Sequence, residues 1–419
     1  MAAWPTKRMD ELCEITSSKR IFAADYVSEG VPFYRGREIT EKYKGNLDVS
    51  TELFITEEKF QEIERKFGAP RQGDLLLTSV GTLGSVYVLK PGDRFYFKDG
   101  NLTWFRHFKE LDSQFLYYWI GSPQGKAELQ KCTIGSSQSA FTIVLLKSME
   151  IELPPIPVQR RIAGILSAYD ELIENSQRRI KILESMARAL YREWFVHFRF
   201  PGHESVPRVP SPLGKIPEGW EVKPLAKVCS RITDGSHSSP KSVENGYPMA
   251  SVKDMHDWGI NIEGCRRIAI HDYEELVRND CKPLKNDILI AKDGSYLKHT
   301  FVVGEEQDLV ILSSIAMLRP NEAIRPNYLC FALQDPATKA RMRGIVSGVA
   351  IPRIVLKDFR NFQILVPSKA AQEEWAQIVD PLVESCRKLV AQINNFRRTR
   401  DLLLPRLLSG QIDVEAMPA

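Results

Sequence analysis

The sequence predicts two α/β (α+β) globular domains, one in each copy of an internal repeat, joined by two long antiparallel helices that form a coiled coil with pseudo-twofold symmetry. Two observations carry this expectation. Seam residues recur at alternating spacings of three and four from Leu166 through Tyr169, Ile173, Ser176, Ile180, Leu183, Ala187 and Leu190 to Trp194, the heptad pattern of a helix that needs a partner. A shift of 213 carries these positions onto Val379, Leu382, Cys386, Leu389, Ile393, Phe396, Arg400, Leu403 and Leu407. This second seam is in the same register, so the chain supplies its own partner.

The repeat extends beyond the helices. The same shift takes Pro70 to Pro283, Asp74 to Asp287, Gly81 to Gly294, Arg106 to Arg319, Gly135 to Gly348, Pro154 to Pro367 and Gln159 to Gln372, with no gap. Earlier in the chain the shift is 216, pairing Trp4 with Trp220, Cys13 with Cys229 and Pro32 with Pro248. A tandem duplication of a globular domain followed by a long helix explains both.

Taken in order, residues 1–153 form the first globular domain. Strands are expected at Asp74–Thr78 and Ser85–Leu89, and helices at Phe54–Phe67 and Ser113–Ile120. The run Leu153-Pro154-Pro155-Ile156-Pro157 is a stiff lead-in, with Pro157 suited to a first helical turn. The central helix then occupies 154–200. Residues 201–219, rich in Pro, Gly and Ser, are expected to be a linker loop, and 220–366 the second globular domain. The C-terminal helix occupies 367–419, stops near Gly410, and is expected to be kinked or broken at Pro381 and Pro405. Pairing antiparallel, the two helices would hold the domains at opposite ends of a rod.

Composition limits the classes of function. At 419 residues, 43% hydrophobic and 26% charged, the chain can build two cores plus an extended element. Its net charge of +4 neither demands nor excludes a polyanionic partner. No window reaches the roughly eighteen apolar residues of a membrane span, and Met1–Asp10 lacks the apolar stretch of a secretory signal, so no membrane association and a cytoplasmic location are expected. The seven cysteines are scattered without a CxxC pair, which argues against a disulfide framework and a zinc site; Cys13 and Cys229 read as small core residues.

No catalytic constellation is legible. Asp287 and Lys292 come nearest to a nuclease pattern, but Ile290 stands where a second metal-holding carboxylate is needed. There is no phosphate-binding glycine loop, and His197, His203, His237, His256, His271 and His299 lack metal-ligand spacing. Any reaction belongs to a partner, and no metal is expected. The domains offer instead three pairs of polar loops at matched positions. Thr16–Arg20 is answered by Thr233–His237, Thr78–Gly84 by Ala291–Leu297, and Gly135–Gln138 by Gly348–Ile351. Ser and Thr suit phosphate oxygens, while Arg, Lys, Gln and Asp suit base edges. The candidate DNA-binding residues are therefore Ser17, Ser18, Lys19, Arg20, Ser79, Thr82, Ser136, Ser137, Gln138, Asp234, Ser236, His237, Lys292, Asp293, Ser295 and Tyr296, with the basic residues Arg35, Arg37, Lys253, Lys298 and Arg353 of the same domains. Turn glycines and core apolars repeat between the copies while these side chains differ. A coiled-coil scaffold that binds only proteins stays open on the residues alone.

The order of Leu153–Ala163 (LPPIPVQRRIA), Ala189–Phe198 (ALYREWFVHF) and Ile216–Val222 (IPEGWEV), with Gly73–Leu77 and Leu403–Gly410, resembles the specificity (S) subunits of type I restriction-modification systems over essentially the whole chain. That resemblance implies a non-catalytic subunit. Each globular domain would be a target recognition domain reading one half of a bipartite site in double-stranded DNA, and the helices would be spacers that dock two methyltransferase (M) subunits. No cofactor would be bound by this chain. S-adenosylmethionine would be used by the M subunits for adenine methylation, and ATP with Mg2+ by restriction (R) subunits. A specificity protein of a different restriction-methylation enzyme, of type IIB or IIG character, is the alternative. The second copy lacks a counterpart of Gln138, having Ile351 there.

Overall fold

The two seam helices are the longest elements of the computed structural model, which describes residues 4–46, 49–135, 139–293, 297–347 and 353–416. The central helix, Ile156–Tyr191, has 36 residues and the C-terminal helix, Lys369–Leu408, has 40; at about 1.5 Å per residue each is on the order of 55–60 Å long. The chain forms two units, residues 1–175 with 393–419, and residues 176–392. Each long helix therefore belongs to both units, whereas the sequence reading set the helices apart from domains 1–153 and 220–366. The cause is packing. The first turns of the central helix bury Ile162 and Leu166 among Leu77, Phe115 and Trp119, and the end of the C-terminal helix adds Leu407 and Leu408 to the same core. A helix stripe gains most of its stability from such burial.

In the first unit an antiparallel sheet runs in the order Glu14–Thr16, Leu102–Arg106, Leu75–Thr78, Val86–Val88. Its central strand Leu75–Thr78 is buried on both faces. Side chains alternate across a strand, so Leu75 and Leu77 join the helix-facing core while Leu76 joins Tyr34, Ile39, Phe97 and Trp104 on the other face. A second sheet orders Tyr26–Val27, Phe54–Ile55, Val31–Tyr34 and Tyr96–Phe97, the last pair parallel.

The second unit repeats this plan. Cys229–Asp234, Ile315–Pro320, Ile288–Ala291 and Thr300–Val302 form its main sheet in the same order. Leu75 opposite Phe105 is matched by Ile288 opposite Leu318, the same pairing moved by one repeat. The short hairpin Thr133–Ile134 with Ala140–Phe141 is matched by Val346–Ser347 with Arg353–Ile354. Its second sheet has three strands, Arg266–Ile268, Tyr247–Ala250 and Val310–Ile311.

The repeat reaches individual hydrogen bonds. Buried Gln159 accepts from the Asp112 N–H at 2.8 Å and donates to the carbonyls of Glu110 and Pro154 at 2.9 and 2.8 Å. Buried Gln372 accepts from the Arg325 N–H at 2.9 Å and donates to Ala323 and Pro367 at 3.2 and 2.9 Å. Each glutamine ties the start of a long helix to the loop before a buried domain helix. Replacing either by Leu leaves buried backbone groups without partners, each costing about 1–3 kcal/mol. We expect Gln159→Leu to lower stability by on the order of 3 kcal/mol, read as an earlier urea transition; an unchanged midpoint would show that water replaces the amide.

Several expectations need correction. The predicted helix Phe54–Phe67 is a strand, Phe54–Ile55, followed by a helix, Glu57–Phe67, because Thr56 caps the first turn by accepting from the Lys59 N–H. The expected linker loop 201–219 contains an antiparallel hairpin, Arg208–Ser211 with Gly214–Pro217, that buries Ile216 in the second core. The C-terminal helix is not broken at Pro381 or Pro405. Each proline removes one backbone hydrogen bond, and buried neighbours Val379, Val383, Leu407 and Leu408 hold the helix across the defects. Gly410, at φ +67, takes the left-handed conformation that suits a helix stop.

The seam is correct in outline and wrong in places. Leu166, Ile173, Ile180 and Trp194 are buried on the central helix, as are Leu389 and Ile393 on the C-terminal helix. Leu183, Leu190, Leu382 and Leu403 are only half-buried, and Val383 takes the fully buried place expected for Leu382. Within the first unit Tyr169 meets Phe396 with ring centroids 6.4 Å apart, and Asp170 pairs with the seam residue Arg400. Within the second unit Tyr191 meets Trp375 at 6.3 Å, and the Cys386 thiol lies near the Ile180 carbonyl. In the second unit rising numbers on one helix meet falling numbers on the other, so the segments run antiparallel. Past Tyr191 the helix widens into a π turn, Arg192–Val196, that buries both Trp194 and Phe195.

Candidate nucleic-acid interface

Hydrogen bonds gather the predicted loops at one end of each main sheet. In the first unit the Ser79 N–H donates to Asn101 O at 2.8 Å and Ser79 O accepts from the Phe141 N–H at 3.0 Å. The Ser17 hydroxyl donates to Leu102 O at 3.3 Å, and the Lys19 N–H donates to the Tyr96 hydroxyl at 2.8 Å. The loop after Thr16, the turn after Thr78, the Lys98–Asn101 turn and the small hairpin thus form one polar surface.

The same joins recur in the second unit. The Ser236 N–H donates to Ile311 O at 2.8 Å, Lys292 N–H to Ser314 O at 2.9 Å, and Ile354 N–H to Lys292 O at 3.2 Å. The Val80–Ala140 bridge of the first unit becomes an Asp293–Arg353 bridge in the second. An apolar pair is exchanged for a charged one at the same bridge.

The candidate side chains separate into inner and outer groups. Ser18 is buried with its hydroxyl donating to Phe97 O at 2.7 Å, and buried Ser79 shares a 2.7 Å bond with the Thr103 hydroxyl. Their counterparts in the second unit are Asp234 and Lys292, joined by a 2.5 Å ion pair and only 11% and 8% exposed. Ser236 is likewise buried, bonded to the Ser238 carbonyl at 2.9 Å. As direct DNA contacts Ser18, Ser79, Ser236 and Lys292 need correction: each is satisfied inside the fold and braces the loop that carries its neighbours.

Exposed groups form the outer set. In the first unit these are Lys19, 4.8 Å from the Phe67 ring, Arg20 beside Asp99, Arg37 and Thr82. Arg35 is drawn back, its guanidinium 3.2 Å from buried Glu38, which also accepts from the Arg35 N–H at 2.8 Å to cap the helix Gly36–Tyr43. In the second unit Lys253, Lys298 and Arg353 are exposed, and His237 reaches outward while 3.3 Å from Asp234. Arg37 and Lys253 occupy matched places in the first turn after the middle strand of the second sheet. Among the described residues Asp293 Oδ1 is buried without a hydrogen-bond partner. Ser136, Ser137, Gln138, Ser295 and Tyr296 lie outside the described residues.

Sequence reading missed two supports. Ser314 Oγ accepts from the Val252 N–H at 3.1 Å, and Asp254 accepts from both the N–H and hydroxyl of Ser251 at 2.7 and 2.9 Å. The Ser251-x-x-Asp254 spacing is a capping signal that could have been read; nothing in the sequence marks Ser314.

The discarded nuclease pattern resolves into structure. Asp287 takes both guanidinium nitrogens of Arg319 at 2.8 Å and the Leu284 N–H at 2.8 Å. Its counterpart Asp74 accepts from the Arg71 N–H and Trp104 Nε1 at 2.9 Å, while burial pushes its carboxyl up. Among the described residues no group of three or more His, Cys, Asp or Glu is placed to hold a metal ion. All seven cysteines are buried and free, and burial pushes the thiols of Cys13 and Cys229 up to about 12. No described helix is long and apolar enough to cross a membrane.

Comparison with known proteins adds a relationship. The sequence model of the type I restriction modification DNA specificity domain matches residues 1–185 and again 217–396. The chain is 27% identical over 432 residues to the MjaIX specificity subunit of a type I restriction enzyme from Methanocaldococcus jannaschii, covering 99% of this chain and 94% of that one. It is 23% identical over 369 residues to the MjaVIII specificity subunit of the same organism, covering 85% and 83%. Among solved structures, the S subunit of a type I restriction-modification system from M. genitalium shares the fold at a TM-score of 0.57, with 18% identity and 96% of each chain covered.

Proposed function

Since this chain belongs to the type I restriction-modification DNA specificity family and is a non-catalytic specificity subunit, we propose that each unit reads one half of a bipartite site in double-stranded DNA through the loops at its sheet end. The observation that carries this is the contrast between copies. Strand order is the same in the two main sheets and their central strand pairs keep one register, yet at matched loop positions Lys19 is answered by Gly235, Val80 by Asp293, and Ala140 by Arg353. A shared frame with different donors and acceptors supports two readers of different sequence.

The long helices set the separation of the half-sites and dock two methyltransferase subunits. S-adenosylmethionine then belongs to those subunits, and ATP with Mg2+ to restriction subunits. Outward Lys19, Arg20, Arg37, Lys253, Lys298 and Arg353 would neutralise phosphates, so log affinity for duplex DNA should fall with log salt at a slope near −0.9 for each contact. A flat salt dependence would favour the protein scaffold instead.

Incubating the purified chain with duplex DNA and tritiated S-adenosylmethionine is expected to leave the DNA unlabelled; adding methyltransferase subunits should label adenines at one bipartite site. Label incorporated by this chain alone would overturn the assignment of the chemistry to its partners.

A further inference from the structure

Beside the loop that carries Lys298, the second unit contains a recess of about 160 Å³. It lies between the central helix at Glu184 and Arg188, the C-terminal helix at Val383 and Arg387, and the layer formed by Thr300–Val302 and the helix Pro326–Gln334. Its apolar floor includes Cys330 and Phe331. Four cations line it, Arg188, Lys298, Lys339 and Arg387, against two carboxylates, Glu184 and Asp257.

The two carboxylates have other partners and are shared among the cations, Glu184 feeling the Arg188 charge and Asp257 the Lys339 charge. Asp257 takes His299 Nδ1 at 2.8 Å, and Glu184 accepts from Trp258 while burial pushes its carboxyl up. Arg387 donates to Val302 O at 3.1 Å and sits 3.6 Å from Glu384. Arg188 stands over the Phe331 ring at 5.9 Å. Among the described residues Arg188, Lys298 and Lys339 have no carboxylate within ion-pair distance. Lys339 is half-buried, and burial together with the neighbouring Arg188 charge lowers its pKa. Like charges gathered in a partly dry recess are unfavourable until a counter-charge enters. Among the described residues the buried Thr300 hydroxyl also lacks a hydrogen-bond partner.

We propose that this recess binds a phosphate group. Guanidinium forks and ammonium groups converging from several elements match an oxyanion with several acceptor oxygens and more than one charge. That chemistry has two sources, a free phosphate compound or the backbone of bound DNA, and neither requires the sheet-end loops to be the base readers.

Pyrophosphate is the probe for the first source, titrated calorimetrically into the full chain and its Lys339→Met, Lys339→Arg and Arg188→Gln variants. Saturable binding is expected, weakened at least tenfold in Lys339→Met and Arg188→Gln and largely kept in Lys339→Arg. For the second source, pyrophosphate does not bind, but the salt slope for duplex DNA falls in magnitude by about 1 in Lys339→Met. Circular dichroism melts establish that the variants are folded. Two results overturn the proposal: no effect on either probe, or a loss confined to binding of methyltransferase subunits, which would make the recess a socket for a partner carboxylate. Methylation mapping separates this inference from the function above, since the half-sites should be unchanged in every variant.

Discussion

Replacing residues 1–153 by the equivalent segment of another family member is expected to change one half of the methylated site completely and leave the other half as it was. The physical basis is that each unit folds around its own cores. The first unit's sheet faces are filled by Phe105, Phe115 and Trp119 on one side and by Tyr34, Phe97 and Trp104 on the other. The second unit closes around Tyr328, Trp375, Trp194 and Phe195. All the loop side chains proposed to read the first half-site lie inside the exchanged segment. The graft must keep the surface that meets Ile162, Leu166 and Leu407, because large-to-small changes there cost about 2–5 kcal/mol each. Methylome mapping of a strain carrying the exchange reads the result. A change in both half-sites would mean that the units do not read independently.

The second large effect is on spacing. Four residues inserted beside Ser176, where the polar seam position coincides with the division between the two units, add one turn and roughly 6 Å of rise. Duplex DNA rises about 3.4 Å per base pair, so the spacer between half-sites should lengthen by about one or two base pairs. A four-residue insertion exceeds one turn by about 40°, and coiled coils absorb such an insertion by local unwinding. Both half-sites should keep their sequence, because every candidate reading residue is untouched. An unchanged spacer with unchanged half-sites would show that the helices do not set the distance.

The duplication was legible because it rests on identities that survive any rotation of the chain. Shifting Leu75 and Phe105 by one repeat lands on Ile288 and Leu318, and both pairs are ladder partners. The heptad spacing marked part of the buried stripe, at Leu166, Ile173, Ile180, Leu389 and Ile393, but not the half-buried Leu183, Leu190, Leu382 and Leu403. A local signal failed where two readings fit it. Phe54–Phe67 carries apolar residues suited to a helix, yet Phe54 and Ile55 pair with strands on both sides, and only those neighbours decide for the strand.

What the sequence by itself determined is the repeat, the two mixed domains, the long helices and the family, since these are written in residue spacing and order. Tertiary structure alone decided which polar side chains face outward. Ser18 and Lys19 are adjacent in one loop, but Ser18 is buried with its hydroxyl on the Phe97 carbonyl while Lys19 is exposed. Lys292, which reads as a free cation, is held by Asp234 from a strand 58 positions away. Leu382 yields the buried place to Val383 for the same reason. Burial and pairing are properties of what comes to lie opposite a side chain, and that partner is chosen by the folded backbone rather than by the neighbouring residues in the chain.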